Sequence, residues 1–186
     1  MDKAFKGIYK RRKIFITGHT GFKGGWLALW LKVLGAEVLG YSLEPPTVPS
    51  FFEAVDLESL VDHHIIGDVR DGEKLASVMR EFKPEFVFHL AAQPLVRPSY
   101  KNPRLTYETN VLGTVNLFEA VRNTDTVKVV INITSDKCYE NKEMDTGKLT
   151  LWEDTILTAQ ARAVRNWSRL LTGIPSSART VWPFPQ

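Results

Sequence analysis

The feature that most restricts this chain is a glycine-spaced turn held between an apolar strand and an apolar helix. Lys13–Thr17 reads KIFIT, a short run with no polar face. A strand of that kind has to be covered on both sides, which points to a parallel sheet flanked by helices. Directly after it comes Thr17-Gly18-His19-Thr20-Gly21-Phe22-Lys23-Gly24. Over residues 22–34 apolar side chains return at helical spacing (Trp26, Leu27, Leu29, Trp30, Val33, Leu34), and the run stops at Gly35, a good helix terminator.

The glycine pattern alone would suit any tight strand–helix turn. Its flanks favour a phosphate cradle, in which Gly18 permits the turn, Gly21 lets the backbone approach a pyrophosphate and Gly24 lets the helix pack close to the sheet. The helix start then offers free N–H groups and a positive dipole end to the phosphates.

The rest of the chain, to about residue 142, repeats the same alternation. Residues 37–42 read as a second strand, and Pro45, Pro46 and Pro49 force a loop after it. Residues 64–67 form a short third strand, 72–82 a helix and 85–91 a fourth strand. Asn102-Pro103 opens a helix that runs to about Arg122, since asparagine caps and proline suits a first turn. Residues 127–134 make a fifth strand, and a further helix is expected within 51–60. The expected fold is α/β: a Rossmann-type doubly wound parallel sheet, truncated after strand five.

At the end of strand two an acidic residue would hold a ribose, but the segment reads Tyr41-Ser42-Leu43-Glu44. Ser42 can bond a 2′-hydroxyl, as can a backbone group. No arginine stands there for a 2′-phosphate, which favours NAD over NADP. Asp68, in Gly67-Asp68-Val69-Arg70-Asp71, is either an acceptor for an adenine amine or a simple turn aspartate. His89 reads as a satisfied strand-end histidine, and His63-His64 as a solvated strand edge. The four histidines and the single cysteine, Cys138, have no metal-ligand spacing, so no metal is expected.

Composition excludes other classes. The net charge of +3 is too small to imply a polyanion partner. Lys3, Lys6, Lys10, Arg11, Arg12 and Lys13 could form a nucleic-acid arm, but no aromatic platform accompanies them, and a solvated lead-in is the better reading. No apolar run approaches the roughly 18 residues of a membrane span. The lone cysteine suits a reducing cytosol, and a cytoplasmic location is expected.

Further motifs narrow the reading: His89-Leu90-Ala91-Ala92-Gln93, then Thr109-Asn110-Val111-Leu112-Gly113-Thr114, then Thr134-Ser135-Asp136-Lys137-Cys138-Tyr139. With the spacing of Gly18 and Gly21, these resemble the extended short-chain dehydrogenase/reductase superfamily. GHTGFKGGWL, GYSLEPPT, HLAAQPLVRPSY and TSDKCYEN resemble, within it, the CDP-glucose 4,6-dehydratase family. The resemblance covers residues 13 to 142.

It implies an NAD cofactor contacted by Gly18, Thr20, Gly21, Phe22, Gly24, Ser42, Asp68, Ala91, Ala92 and Asn110. It implies CDP-glucose as substrate, a homo-oligomeric full-length enzyme and no nucleic-acid partner. The implied reaction oxidises the sugar C4 hydroxyl, which acidifies the C5 proton; water then leaves across C5–C6 and the hydride returns to C6. Ser135 would bond the O4 region, and Asp136 would be the acid for the departing C6 oxygen. Lys137 would be the C5 base, although related dTDP-glucose dehydratases carry glutamate there. A strand-end turn is the plainer use of Ser-Asp. Rival readings are a non-catalytic dinucleotide-binding module, another nucleotide-sugar epimerase or dehydratase, and a basic interaction protein.

The superfamily's base, a Tyr-x-x-x-Lys pair about twenty residues after strand five, has no counterpart there. Tyr9 to Lys13 has the spacing but precedes the first strand. After Lys142 the chain changes character, with Trp152, Trp167 and Trp182, scattered arginines and Pro175, Pro183 and Pro185. A helix over 158–171 is conceivable, but no sixth strand is visible. Reading the third base of each codon with the first two of the next gives glycine at Trp152-Glu153. With suitable third bases it turns 144–171 into a family-like stretch containing Tyr-Ser-Ser-Ser-Lys. The expected organisation is a basic lead-in at 1–12, an incomplete NAD-binding domain at 13–142 and a frameshifted, non-native tail at 143–186. A chain so built is expected to be inactive.

Overall fold

The computed structural model describes residues 4–134 and 179–180. Its core is a parallel sheet of β1 (Lys13–Thr17), β2 (Glu37–Ser42), β3 (His63–Ile66), β4 (Phe86–His89), β5 (Val129–Asn132) and β6 (Arg179–Thr180), in the order β3-β2-β1-β4-β5-β6. The two-residue β6, beside Val129 and Val130, has no signal in the sequence.

The central strands β1 and β4 are mostly apolar because both their faces are covered, whereas β3 at the sheet edge is partly exposed. Ile14 and Ile16 of β1, Val38 of β2 and Phe86 and Phe88 of β4 enter one core with Ala28 and Leu31 of α1 (Phe22–Val33). Phe52 of α2 (Phe51–Ala54) and Leu57 of α3 (Leu57–Leu60) complete it. Phe15, Leu39, Tyr41 and Val87, alternating with those strand residues, enter the other core. There they meet Leu75 and Met79 of α4 (Gly72–Phe82). Between β4 and β5 lie α5 (Val96–Lys101), α6 (Pro103–Tyr107), a π-helical turn (Glu108–Leu112) and α7 (Gly113–Arg122), whose Leu117, Phe118 and Val121 join that second core.

Local chemistry sets the helix ends. After α1, Gly35 takes φ +82° and its N–H reaches Lys32 O at 2.9 Å, while Ala36 N reaches Leu31 O at 3.0 Å. This is the left-handed closure for which glycine is suited. Ser50 and Glu53 form a reciprocal capping box on α2. Asp71 caps α4 by accepting from Lys74 N at 3.0 Å. Asn102 caps α6 by accepting from Leu105 N at 3.1 Å, with Pro103 in the first turn.

Three expectations need correction. The helix sought within 51–60 is two short helices, because Asp56 takes a left-handed conformation (φ 49°) between them. The single helix expected over 103–122 is interrupted by the π turn and preceded by α5. Residues 5–12 are nearly all exposed, as expected of a solvated lead-in, and they also lean on the fold: Phe5 packs edge-on to Trp30, Tyr9 packs edge-on to Phe86, and Arg12 pairs with Glu85 at 2.7 Å. His64 is not a solvated edge residue, since it is half-buried and bonded to His19. No helix among the described residues is long and apolar enough to cross a membrane.

Candidate functional site

Parallel strands put all their C-terminal ends on one edge, and the loops that leave this edge carry the expected cofactor contacts. The glycine loop follows β1, Ser42 ends β2, Asp68 follows β3, and Ala91 and Ala92 follow β4. Asn110 reaches the same edge from the π turn by accepting from Gln93 N at 2.7 Å and donating to Gln93 O at 3.0 Å.

Within the loop the three glycines differ. Gly18 has φ +80°, and a Cβ on it would stand 2.8 Å from Ala91 N. A Cβ on Gly24 would stand 2.1 Å from Gly18 O. These two glycines let the loop, the following helix and the β4 loop close on one another. Gly21 has ordinary extended backbone (φ −78°, ψ 161°), and among the described residues a Cβ there would meet only Gly18 O, at 3.4 Å. The described residues therefore do not require glycine at 21, and they leave room for a side chain there. Gly21 is also the N-cap of α1 and supplies no side-chain cap. The first backbone bond returning to it is from Gly25 N, at 2.8 Å, so the N–H groups of Phe22, Lys23 and Gly24 lack an intrahelical acceptor. The Phe22 ring is exposed and packs edge-on to Phe51.

Thr20 and Ser42 are joined to each other. The Thr20 hydroxyl donates to Leu43 O at 2.9 Å, so the Ser42 hydroxyl donates to Thr20 Oγ1 at 2.8 Å. Both side chains are buried, and they tie the loop to the end of β2. Ser42 retains lone pairs for a hydroxyl donor. Asp68 accepts from Arg70 N at 2.9 Å and from the Arg70 guanidinium, which holds its carboxyl below the usual carboxylate range. Arg70 also faces Glu108 of the π turn at 3.8 Å.

His89 lies beneath this edge, fully buried and fully satisfied, as its sequence position suggests. Thr17 Oγ1 accepts from Leu90 N at 3.1 Å and from Ala91 N at 3.2 Å, so its proton goes to His89 Nδ1, 2.7 Å away. His89 Nε2–H then donates to Thr114 Oγ1 at 3.2 Å, and the Thr114 hydroxyl donates to Asn110 O at 2.7 Å. One directional chain thus links the glycine loop, the β4 loop and the π turn. Burial pushes the His89 imidazole down to about 4, so it stays neutral.

The expected catalytic residues Ser135, Asp136 and Lys137 lie outside the described residues. They follow β5 in sequence, after Ile133 N donates to His89 O at 2.9 Å. Gln93 and His64, both engaged at this edge or in its support, were not marked by sequence reasoning. No group of three or more His, Cys, Asp or Glu that could hold a metal occurs among the described residues.

Residues 15–155 match the family described as GDP-mannose 4,6 dehydratase. The chain is 59% identical over 138 residues to CDP-glucose 4,6-dehydratase of Salmonella typhimurium, covering 74% of this chain and 38% of that protein. It is 34% identical over 119 residues to GDP-mannose 4,6-dehydratase of Vibrio cholerae, covering 60% of this chain and 32% of that one. The chain thus spans under two fifths of the length of these curated relatives. In fold it is similar to UDP-glucose-4-epimerase from Stenotrophomonas maltophila, solved with bound NAD, with TM-score 0.71, 20% identity, and 91% of this chain and 51% of that one covered.

Proposed function

The chain belongs to the GDP-mannose 4,6-dehydratase family, and from that premise we propose that it carries the NAD-binding part of a CDP-glucose 4,6-dehydratase. One observation carries the cofactor reading: the described residues leave room over Gly21, beside the N–H groups that begin α1 without an intrahelical acceptor. The backbone of Gly18, Gly21, Phe22 and Gly24 would hold the pyrophosphate. Ser42 would accept from the ribose and Asp68 would face the adenine. Ala91, Ala92 and Asn110 would line the nicotinamide side. Thr20 contributes by fastening the loop, since its own hydroxyl is engaged. NAD, when bound, supplies the hydride acceptor that C4 oxidation requires.

The identity of 59% to the Salmonella typhimurium enzyme supports CDP-glucose as the substrate. Ser135 would bond the sugar O4 region, Asp136 would protonate the leaving C6 oxygen and Lys137 would take the C5 proton. A cytoplasmic, homo-oligomeric enzyme is the setting proposed for the complete protein.

We propose the same organisation as for the sequence: a lead-in at 1–12, the dinucleotide-binding unit at 13–142 and a tail at 143–186 read out of frame. The tail lacks the Tyr-x-x-x-Lys base, and without a base at C4 the hydroxyl proton has no acceptor. The assay is formation of the 4-keto-6-deoxy product from CDP-glucose with added NAD. No product is expected from residues 1–186, and product is expected once a single frame restores Tyr-Ser-Ser-Ser-Lys and the sequence after it. Turnover by the chain as written, or encoding DNA whose shifted frame lacks that motif, contradicts the proposal.

A further inference from the structure

His19 stands in the middle of the glycine loop, yet its side chain leaves the cradle and runs across the sheet. The ring is fully buried and lies over Gly40, where a Cβ would come within 2.3 Å of His19 Cγ and Cδ2. Gly40 is in register with Ile16 of β1 and with His64 of β3. The middle strand therefore has no side chain at the point where the imidazole crosses it. On the far side His19 Nε2 meets His64 Nδ1 at 2.6 Å, and Phe52 closes the pair, 5.6 Å from the His19 ring and 5.0 Å from the His64 ring.

The partners decide the direction of this bond. Among the described residues His19 Nδ1 is buried without a hydrogen-bond partner. A bare lone pair there costs less than a bare N–H, so the His19 proton sits on Nε2 and His64 Nδ1 accepts it. Burial and the nearby His64 push His19 down to about 3, so it remains a neutral donor. The backbone of His19 is locked to the helix start as well: a Cβ on Gly24 would stand 2.9 Å from His19 Cα, and one on Gly25 would stand 3.3 Å from His19 O. Wherever the His19 ring is held, the first turn of α1 is held with it.

We propose that His64 is a positioning residue for the pyrophosphate, acting through His19 to pin the glycine loop to β3 and aim its N–H groups. This rests on the dinucleotide reading above. His64 itself touches no phosphate, and its effect is confined to ligands that carry one.

The test titrates the full chain with NAD and, separately, with adenosine, which lacks the phosphates. His64→Ala removes the acceptor, and the loss of this part-buried hydrogen bond is expected to weaken NAD binding about tenfold while leaving adenosine unchanged. His64→Asn places its Oδ1 where the imidazole Nδ1 stood and should restore NAD binding to within about twofold of wild type. If the alanine variant does not fold, His64→Gln takes its place, because glutamine fills the space but carries its amide too far along to accept from His19. Equal loss for NAD and adenosine, full NAD affinity in the alanine or glutamine variant, or a folded asparagine variant without rescue overturns the proposal. A wild-type chain that binds no NAD overturns the cofactor reading together with it.

Discussion

His89 shows how far burial alone can set the behaviour of a single residue. Its two ring nitrogens are committed to Thr17 and Thr114, and burial lowers its pKa from 6.5 to about 4. In the unfolded chain the imidazole binds a proton near its ordinary value, while in the folded chain it does not until about 4. Between those values the unfolded state holds more protons, so stability falls as pH drops through this window and levels off below it. The loss is on the order of 3 kcal/mol. His19, held to about 3, adds a contribution of the same sign. Asp62, Asp68 and Glu85 have lowered carboxyl values and act only at lower pH, as they protonate. Urea unfolding at a series of pH values should show the decline starting near neutrality. His89→Gln should be less stable at pH 7 but flatter toward acid. A wild-type curve that is level until the carboxylate range would contradict this account of His89.

At the scale of elements, the segment between β4 and β5 was the least legible. Asn102-Pro103 announced a helix start correctly, because a cap and its first-turn proline are local chemistry. The π turn was not legible, since the apolar spacing runs through it without a break. Its cause is tertiary: Asn110 turns inward to satisfy both backbone groups of Gln93, and π turns of this kind are common at functional sites. β1 and β5 were legible because short runs rich in β-branched residues have few other uses. Likewise, the glycine loop was legible because its three positions sit in a strand–turn–helix frame. The His19–His64 bond spans 45 residues and follows no local period, so His64 read as an ordinary edge residue. Asn110→Ala leaves the Gln93 N–H and C=O without their partner and should cost about 1–3 kcal/mol. Asn110→Asp keeps the acceptor but sets a buried carboxylate oxygen against the Gln93 carbonyl, and should cost at least as much as alanine. Equilibrium unfolding measures both, and a neutral alanine substitution would mean that the π turn does not depend on this pairing.

For the whole molecule, the strand order carries the functional argument. The chain leaves β1 toward β2 on one side, and the next segment returns to β4 on the other, so the helices after β1 and β4 depart to opposite faces. The crevice outside the strand ends at that reversal is where ligands bind in sheets of this kind. The glycine loop, the β4 loop and the Asn110 turn converge there, braced by Thr17, His89 and Thr114. The most direct test is equilibrium titration of the chain with NAD, comparing wild type with Gly21→Val. The backbone at 21 accepts a side chain, so the variant should fold as wild type does, with its new methyl groups where the pyrophosphate would lie. Saturable binding to one site is expected for wild type, with NADP weaker, and none is expected for a folded Gly21→Val. Equal affinity in the two proteins, or no binding to the wild-type chain, would contradict the placement of the cofactor.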